Sequence, residues 1–520
     1  MQQELIDILG TQGLSTEEAQ RTLCSQDVFR EGELAEFVAR PETVEQLQSL
    51  VKLAGEQGYA LVPRGGAMSY TDGIVPIRQK TVVVDMSALN RILDINTEDM
   101  TVTVEAGCTW SDLYEALKPS GLRTPYWGTL SGIKATVGGS ISQNSIFWGS
   151  GHYGTAADNV IGMEVVIADG SVLVTGSASQ RNSSAFTRHF GPDLTGLFTS
   201  DCSALGIKAR ITLRLVPVKK HKRFVSASFS SFADMQRSMS AVSRTELASE
   251  CFGFDPYLQS QRMRRESLAK DVKALTGVMK SAGGIGKALK EGAKVALAGR
   301  NFIDEEDWSV HYIVEDYSEA GAQAREATML ELIRDNGGKV VENTIPKVLN
   351  GHPFGPVNNM VGPEGERWVP IHAMLPHSKA QRAYALTEEI FGRHSEAIEK
   401  FNIGVGYLLA VVSTSVFVLE PVFFWPDEMK ALHLDSIEPA HRKKLKGFPE
   451  NLEARAAVTT IRKELAAAYS ELGASHLQLG KSYLYQQGLR PESLTLVTAL
   501  KNTLDPKGIM NPGVLGFGEA

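Results

Sequence analysis

The sequence predicts an α+β chain with at least two packed cores, and three observations carry that prediction. Its 520 residues exceed the ~250–300 at which a single core stops growing. From Pro41 to about residue 217, short strand-like runs alternate with helical stretches and brief loops, the pattern of sheet-and-helix layers rather than of a bundle. Beyond residue 217 long polar helical stretches separate fewer strands, which marks a second unit of the same class.

The elements follow in order. A helix is expected at 44–57, a strand at 60–63, a Gly-rich turn, and strands at 81–85 and 101–105 before a helix at 110–117. A strand at 162–168 turns through Asp169-Gly170 into 171–175, and another runs over 207–215. The run Val216-Pro217-Val218-Lys219-Lys220 reads as a boundary. In the second unit, strands are expected at 223–229, 308–314, 368–375 and within 404–419, with a helix at 493–503 near the end. Ile403 to Leu419 carries no formal charge over 17 residues, just short of a bilayer span. Its Gly404, Gly406, Ser413-Thr414-Ser415 and many Val residues favour buried strands.

Charge and composition exclude whole classes. Lys and Arg total 53 against 60 Asp and Glu, a net charge of −7, the wrong sign for a chain whose partner is nucleic acid. With 43% hydrophobic and 22% charged residues, the collagen-like, coiled-coil and disordered classes fall away. Cys24, Cys108, Cys202 and Cys251 lie far apart without zinc-type spacing, so no disulfide framework or metal is expected, and a reducing cytoplasm is the expected compartment. The opening MQQELIDILGTQGLSTEEAQ is acidic and lacks the basic start of a signal peptide.

One stretch departs from the average. Residues 261–300 hold ten basic residues against three acids, with apolar residues at helical spacing around Gly283-Gly284. Two basic amphipathic helices fit this pattern, either as a solvated cover or as a docking surface for an anionic membrane or acidic partner.

Four ordered segments carry the chemistry. Val62-Pro63-Arg64-Gly65-Gly66-Ala67-Met68-Ser69 follows a strand, and its small residues let backbone N–H groups turn inward into a nest that can hold a pyrophosphate. It has neither the GxGxxG nor the GxxxxGK[ST] spacing, so alone it is weak. Next come Ala135-Thr136-Val137-Gly138-Gly139-Ser140-Ile141-Ser142-Gln143-Asn144 and His152-Tyr153-Gly154, then Cys202-Ser203-Ala204-Leu205-Gly206-Ile207, and finally Leu504 to Gly513 containing Asn511.

Taken together in this order, the segments resemble the FAD-binding enzymes of the vanillyl-alcohol-oxidase and p-cresol-methylhydroxylase superfamily, which includes the flavin-dependent D-lactate and glycolate dehydrogenases. The resemblance spans roughly residues 36–217 and 490–515 and fades between them. It implies an N-terminal helical extension (1–35), an FAD domain of two α+β subdomains (36–218), a substrate-binding cap with an antiparallel sheet (219–488), and a C-terminal return to the FAD domain (489–520). It also implies that Pro63, Arg64, Gly65, Gly66, Ala67, Met68 and Ser69 cradle the pyrophosphate. By the same likeness, Thr136, Gly138, Gly139, Ser142 and Asn144 pass beside flavin and phosphates, Ile207 meets the adenine or flavin edge, and Asn511 returns to the flavin. His152 and Gly154 join this set. Relatives that attach FAD covalently use a His or Cys; Ala67 or Met68 stands at the first such position here, so dissociable FAD is expected, with His152 the remaining candidate for a link.

Oxidation of a C–H bond by a flavin requires a nearby proton acceptor and donors toward the ring. In Trp368-Val369-Pro370-Ile371-His372-Ala373-Met374 strand alternation puts His372 and Met374 on one face and His377 on the other. Ser475-His476 lies where relatives carry a catalytic His-containing segment. His476 and His372 are therefore the expected catalytic residues, with Tyr407, Lys481 and Tyr485 secondary. A Gly-Asp-Gly-Asn metal pattern is missing, and Gly473-Ala474 stands where phenol oxidisers carry a Tyr-Arg pair.

The resulting expectation is an FAD-dependent oxidoreductase acting on an alcohol or 2-hydroxy acid, with oxygen, a quinone or a carrier protein as acceptor. The alternatives are a phenol or aryl-alcohol oxidase, a non-redox flavin transferase of the alkyl-dihydroxyacetonephosphate-synthase type, and a membrane-bound flavoprotein without catalysis. A homodimer and peripheral membrane contact through 261–300 complete the partner expectations.

Overall fold

The computed structural model describes residues 1–265 and 307–518. Most of the basic insertion at 261–300 lies outside the described residues.

The first sheet begins where the sequence is most apolar. Thr81–Asp85 carries three consecutive valines, all buried, and pairs in parallel with Phe37–Ala39 on one side and Ala60–Arg64 on the other. A strand covered on both faces needs such a run. The helix Val44–Gln57 connects the outer two; Thr43 Oγ1 accepts from the Gln46 amide at 3.1 Å, and Gly58 closes the helix at φ 67°. Its Leu47, Leu50, Val51 and Ala54 recur at helical spacing and are fully buried. Leu14–Ser15 adds an antiparallel edge, and Leu5 and Leu9 of the N-terminal helix Gln2–Leu9 enter the same core.

A second, antiparallel sheet orders Ile92–Asn96, Thr101–Glu105, Ile207–Arg214, Val160–Val166 and Val172–Val174. The C-terminal segment returns to the first sheet, where Leu61 donates to the Ile509 carbonyl at 2.8 Å and Asn511 donates back to Leu61 at 2.8 Å.

Leu122–Arg123 and Val216–Pro217 pair as a separate two-stranded ribbon, and the other described strands form one eight-stranded antiparallel sheet, ordered Lys339–Val341, His221–Phe229, Trp308–Asp316, Glu250–Phe254, Gly404–Val412, Val416–Trp425 and Arg367–Pro370, with Ala373–Pro376 also paired to Val416–Trp425. The uncharged run expected to hold strands is therefore a hairpin turning at Ser413 and Thr414. Helices Phe232–Arg244, Glu319–Asp335, Ala380–Arg393 and Leu452–Leu472 cover one face and share its core. The other face presents Phe252, Phe254, Leu408, Val422 and Phe424 toward the FAD-type half of the chain.

Ion pairs fix the seam between the two halves. Arg123, beside the second sheet, meets Glu315 of the large sheet at 2.5 Å, both side chains at 3% exposure or less. Glu250 lies beside this pair and its Oε2 accepts from the Gly149 amide at 3.0 Å. Burial first, and the charge of Glu315 second, push the Glu250 carboxyl up to about 8. The folded chain thus keeps a proton that the unfolded chain loses above its ordinary 4.5, so this contribution to stability is full below pH 4.5 and disappears as pH rises through 8. Glu250→Gln should flatten the fall in melting temperature between pH 5 and pH 8; an unchanged slope in thermal melts would rule this out.

Among the described residues no helix is long and apolar enough to cross a membrane, and no cluster of three or more His, Cys, Asp or Glu could hold a metal ion.

Candidate functional site

A cleft of about 250 Å³ runs between the FAD-type sheets and the inner face of the large sheet. Its lining reaches from two glycine-bearing loops to the large sheet, a span that suits a long dinucleotide with a substrate beside it. One wall is the loop after the strand Ala60–Arg64, with every residue from Pro63 to Ser69 in the lining. Ala67 turns the backbone through φ 57°. Gly66 is required by contact, since a Cβ there would sit 1.9 Å from the Lys134 carbonyl oxygen. Arg64, 7% exposed, donates to the Gln26 carbonyl at 2.9 Å and so braces the loop.

The adjoining wall is the segment 135–143. Thr136, Gly138, Gly139, Ser140 and Ser142 line it, and Thr136 Oγ1 caps the short helix Val137–Gln143 by accepting from Gly139. Ile207, Ser203 and Lys208 line the third side; Lys208 is held by a buried ion pair with Asp201.

The inner face of the large sheet closes the cleft. Register on either side of the break between Arg367–Pro370 and Ala373–Pro376 sets His372 opposite Glu420 on the strand Val416–Trp425, so both side chains share the cleft face. Leu408, Ala410, Phe252 and Trp368 surround them, and Tyr70 packs edge-on against Trp368 at 5.5 Å and His372 at 6.3 Å.

The protonation of His372 follows from its partners. The Tyr483 hydroxyl oxygen accepts from the His372 amide at 3.0 Å and lies 3.0 Å from Nδ1. Donating its own proton to Nδ1 gives the hydroxyl and Nδ1 a shared hydrogen bond, which leaves the ring hydrogen on Nε2. Burial, followed by the neighbouring His476, lowers the imidazole to about 3. His372 is therefore a neutral donor in the cleft lining whose Nε2 meets no partner among the described residues. His476 stands behind it: its Nδ1 donates to the His372 carbonyl at 2.8 Å, and its ring stacks on Tyr483 at 4.0 Å.

Several residues expected at the site lie outside the lining, each for a local reason. Tyr407 is on the opposite parity of its strand from Leu408 and Ala410, so it enters the helix-side core and donates to Glu388. Lys481 Nζ donates to the Asp72 and Val75 carbonyls at 2.7 and 2.9 Å, and Asn511 Nδ2 to those of Gly73 and Cys202 at 2.8 and 2.7 Å. Both hold the stretch Asp72–Val75 that follows the first loop, and Asn511 ties it to Cys202. Asn144 closes its helix at φ 53° and accepts from Ala157. Gly154, at φ 87°, precedes the Thr155–Asp158 capping box. His152 stands away from the cleft against the Tyr153 ring. Tyr485 and His377 are also outside, the latter's Nε2 lying 3.1 Å from the Thr414 carbonyl.

Sequence reasoning passed over Glu420, Tyr70, Gln478 and Tyr483. Glu420 left a readable signal, being the one charge in the ten-residue apolar strand Val416–Trp425. Tyr70, Gln478 and Tyr483 come together only through tertiary packing.

The residues present fit FAD. Two glycine-bearing loops meet in the cleft lining, and buried Ser69 Oγ and His372 Nε2 in that lining have no partner among the described residues, so polar groups of a ligand would satisfy both.

Comparison with known proteins bears on the same segments. The family model described as FAD binding domain matches residues 35–176, and that described as FAD linked oxidases, C-terminal domain, matches 479–515. Glycolate oxidase subunit GlcD of Bacillus subtilis is 28% identical over 230 residues, 44% of this chain and 47% of that protein. The mitochondrial D-lactate dehydrogenase [cytochrome] of Arabidopsis thaliana is 31% identical over 224 residues, 42% of this chain and 38% of that one. The matched stretches thus span less than half of each relative. Among solved structures, p-cresol methylhydroxylase with substrate bound superposes with a TM-score of 0.73 at 17% identity over 99% of this chain and 96% of its own. Alkyldihydroxyacetonephosphate synthase gives 0.68 at 15% identity over 98% and 84%. Residues 35–176 and 479–515 thus match FAD-binding and FAD-linked-oxidase family models, and the chain as a whole shares the fold of p-cresol methylhydroxylase.

Proposed function

We propose that this chain oxidises a CH–OH group of a small molecule, passing electrons to oxygen, a quinone or a carrier protein. The observation that carries the reading is one cleft shared by the FAD loops and by the His372–Glu420 pair of the covering sheet. FAD bound there supplies the hydride acceptor.

The chain's own residues do the rest. The backbone nest Pro63–Ser69 and the hydroxyls of Ser69, Thr136 and Ser142 bind the cofactor's polar groups. Lys481 and Asn511 anchor the stretch Asp72–Val75 that follows the nest. Nε2 of His372 donates a hydrogen bond to an oxygen in the cleft, and because Tyr483 fixes the tautomer that donor is in place before the ligand arrives. The apolar roof of Phe252, Leu408 and Ala410 excludes water.

The cofactor is held without a covalent bond on this reading. Cys202, a thiol in the lining, is pushed up to about 12 by burial and so is a poor nucleophile. Acid precipitation of the purified protein should release all flavin into the supernatant; yellow pellet would refute dissociable binding. The reaction itself is tested by anaerobic mixing with a panel of alcohols and hydroxy acids. At least one should bleach the bound flavin, and a panel without any bleaching removes the proposal.

A further inference from the structure

We infer, on the reading just given, that the carboxamide of Gln478 accepts the hydroxyl hydrogen of the substrate, and that together with His372 it makes the cleft prefer an alcohol to the carbonyl compound formed from it. Gln478 is in the cleft lining, and its Oε1 is buried without a partner among the described residues. The other end of the carboxamide is engaged. Tyr70, packed against Trp368 and His372 of the covering sheet, receives a hydrogen bond on its hydroxyl from the Gln478 side chain. The amide nitrogen is the donor in that bond, so the free atom is an oxygen that can only accept.

The backbone fixes the carboxamide in this place. Met374 donates to the Ser475 carbonyl at 2.8 Å and Ser475 returns the bond at 3.0 Å, which lays the segment leading to Gln478 beside the one that carries His372. Gln478 then turns left-handed at φ 46°, a conformation that residues with a Cβ adopt reluctantly. Its amide donates to the Gln143 carbonyl at 2.7 Å and holds the turn, and the Lys481 amide donates to the Thr71 carbonyl at 2.9 Å. The segment is thus tied to the covering sheet and to the FAD-type half before any ligand enters.

A donor and an acceptor therefore stand at the covering-sheet end of one cleft, with Tyr70 against both. His372 Nε2 carries a hydrogen and Gln478 Oε1 carries lone pairs, and neither has a partner among the described residues. A hydroxyl group satisfies the two at once, accepting from the first and donating to the second. A carbonyl oxygen satisfies only His372 and leaves the Gln478 oxygen buried and unpaired, which lowers affinity about tenfold. Oxidation removes the hydrogen that Gln478 holds, so the product is the weaker ligand of the pair.

The test uses 2-phenyl-2-propanol and acetophenone, neither of which has a carbinol hydrogen to surrender, so both bind without reacting. Binding to the FAD-loaded protein is read from perturbation of the visible flavin spectrum. The alcohol should bind about tenfold more tightly than the ketone. Gln478→Met, similar in length but without a strong acceptor, should bring the two within about threefold by weakening the alcohol alone. His372→Ala should weaken both ligands, since each accepts from Nε2. Equal affinities in the unaltered protein, or no binding of either ligand, overturn the inference, as does a preference that Gln478→Met leaves intact. A Gln478→Met protein that keeps its circular dichroism but releases FAD assigns the free oxygen to the cofactor and overturns it as well. Should that variant not fold, Gln478→Asn, which withdraws the oxygen by one methylene, is read in its place with the same expected loss. Because neither ligand turns over, a failed bleaching panel would remove the proposed reaction while this ratio stands or falls by itself.

Discussion

Gly66→Ala should strip the protein of FAD. The added Cβ would lie 1.9 Å from the Lys134 carbonyl oxygen and 2.5 Å from its carbon, and both are backbone atoms that no rotamer change can move aside. Relief requires the loop Pro63–Ser69 to separate from the segment that leads into the helix Val137–Gln143, and those are the two walls of the cleft. Overpacking of this kind costs about 1–3 kcal/mol, so FAD should bind roughly 10- to 100-fold more weakly. Gly392→Ala is the matched control, since a Cβ at that helical position meets nothing within 4 Å. Equilibrium dialysis of FAD with both variants reads the difference, and equal retention would show that the loop contact does not govern the cofactor.

His372→Ala should lower the rate of flavin reduction by about 10²–10³-fold, the usual effect of removing one preorganised donor from a site where charge develops. FAD content should stay unchanged, because the pyrophosphate loops are on the other wall. Tyr483→Phe acts through His372. It removes the proton given to Nδ1 and the acceptor of the His372 amide, so the ring loses its fixed tautomer and the rate should fall about tenfold. The pH profile separates this positioning role from a base. With the imidazole held down to about 3, His372 stays neutral at every pH above about 4, so its titration should not appear in the rate between pH 5 and pH 9. Reduction rates within threefold of the unaltered protein in His372→Ala would remove it from the reacting groups.

These expectations show where the sequence was legible. The helix Val44–Gln57 was readable because its cap, its glycine stop and its apolar spacing are all local. The Gly-rich loops were readable because close backbone approach needs small residues at fixed positions. The single strand expected over 368–375 is instead two strands around Ile371 and His372, and that break carries the site's imidazole.

Tyr407 and Leu408 show the limit. They are neighbours in a strand, yet one faces a helix-side core and the other the cleft. Period-two alternation fixes that they must differ, but which parity faces the cofactor depends on how the whole sheet docks. The two candidate histidines pose the same problem: both are polar residues in cap segments and both stack on Tyr483, yet packing places His372 in the cleft lining and His476 behind it.

By itself, then, the sequence determined the Gly-rich loops, the order of strands and helices, and the resemblance to FAD-binding enzymes, because each rests on local backbone requirements repeated in a set order. Only the tertiary structure decided which wall each side chain joins, and with it the neutral His372 donor and the acid at Glu420. Strands far apart in the chain bring those two residues side by side, and the charge of a site is a property of what packing gathers there.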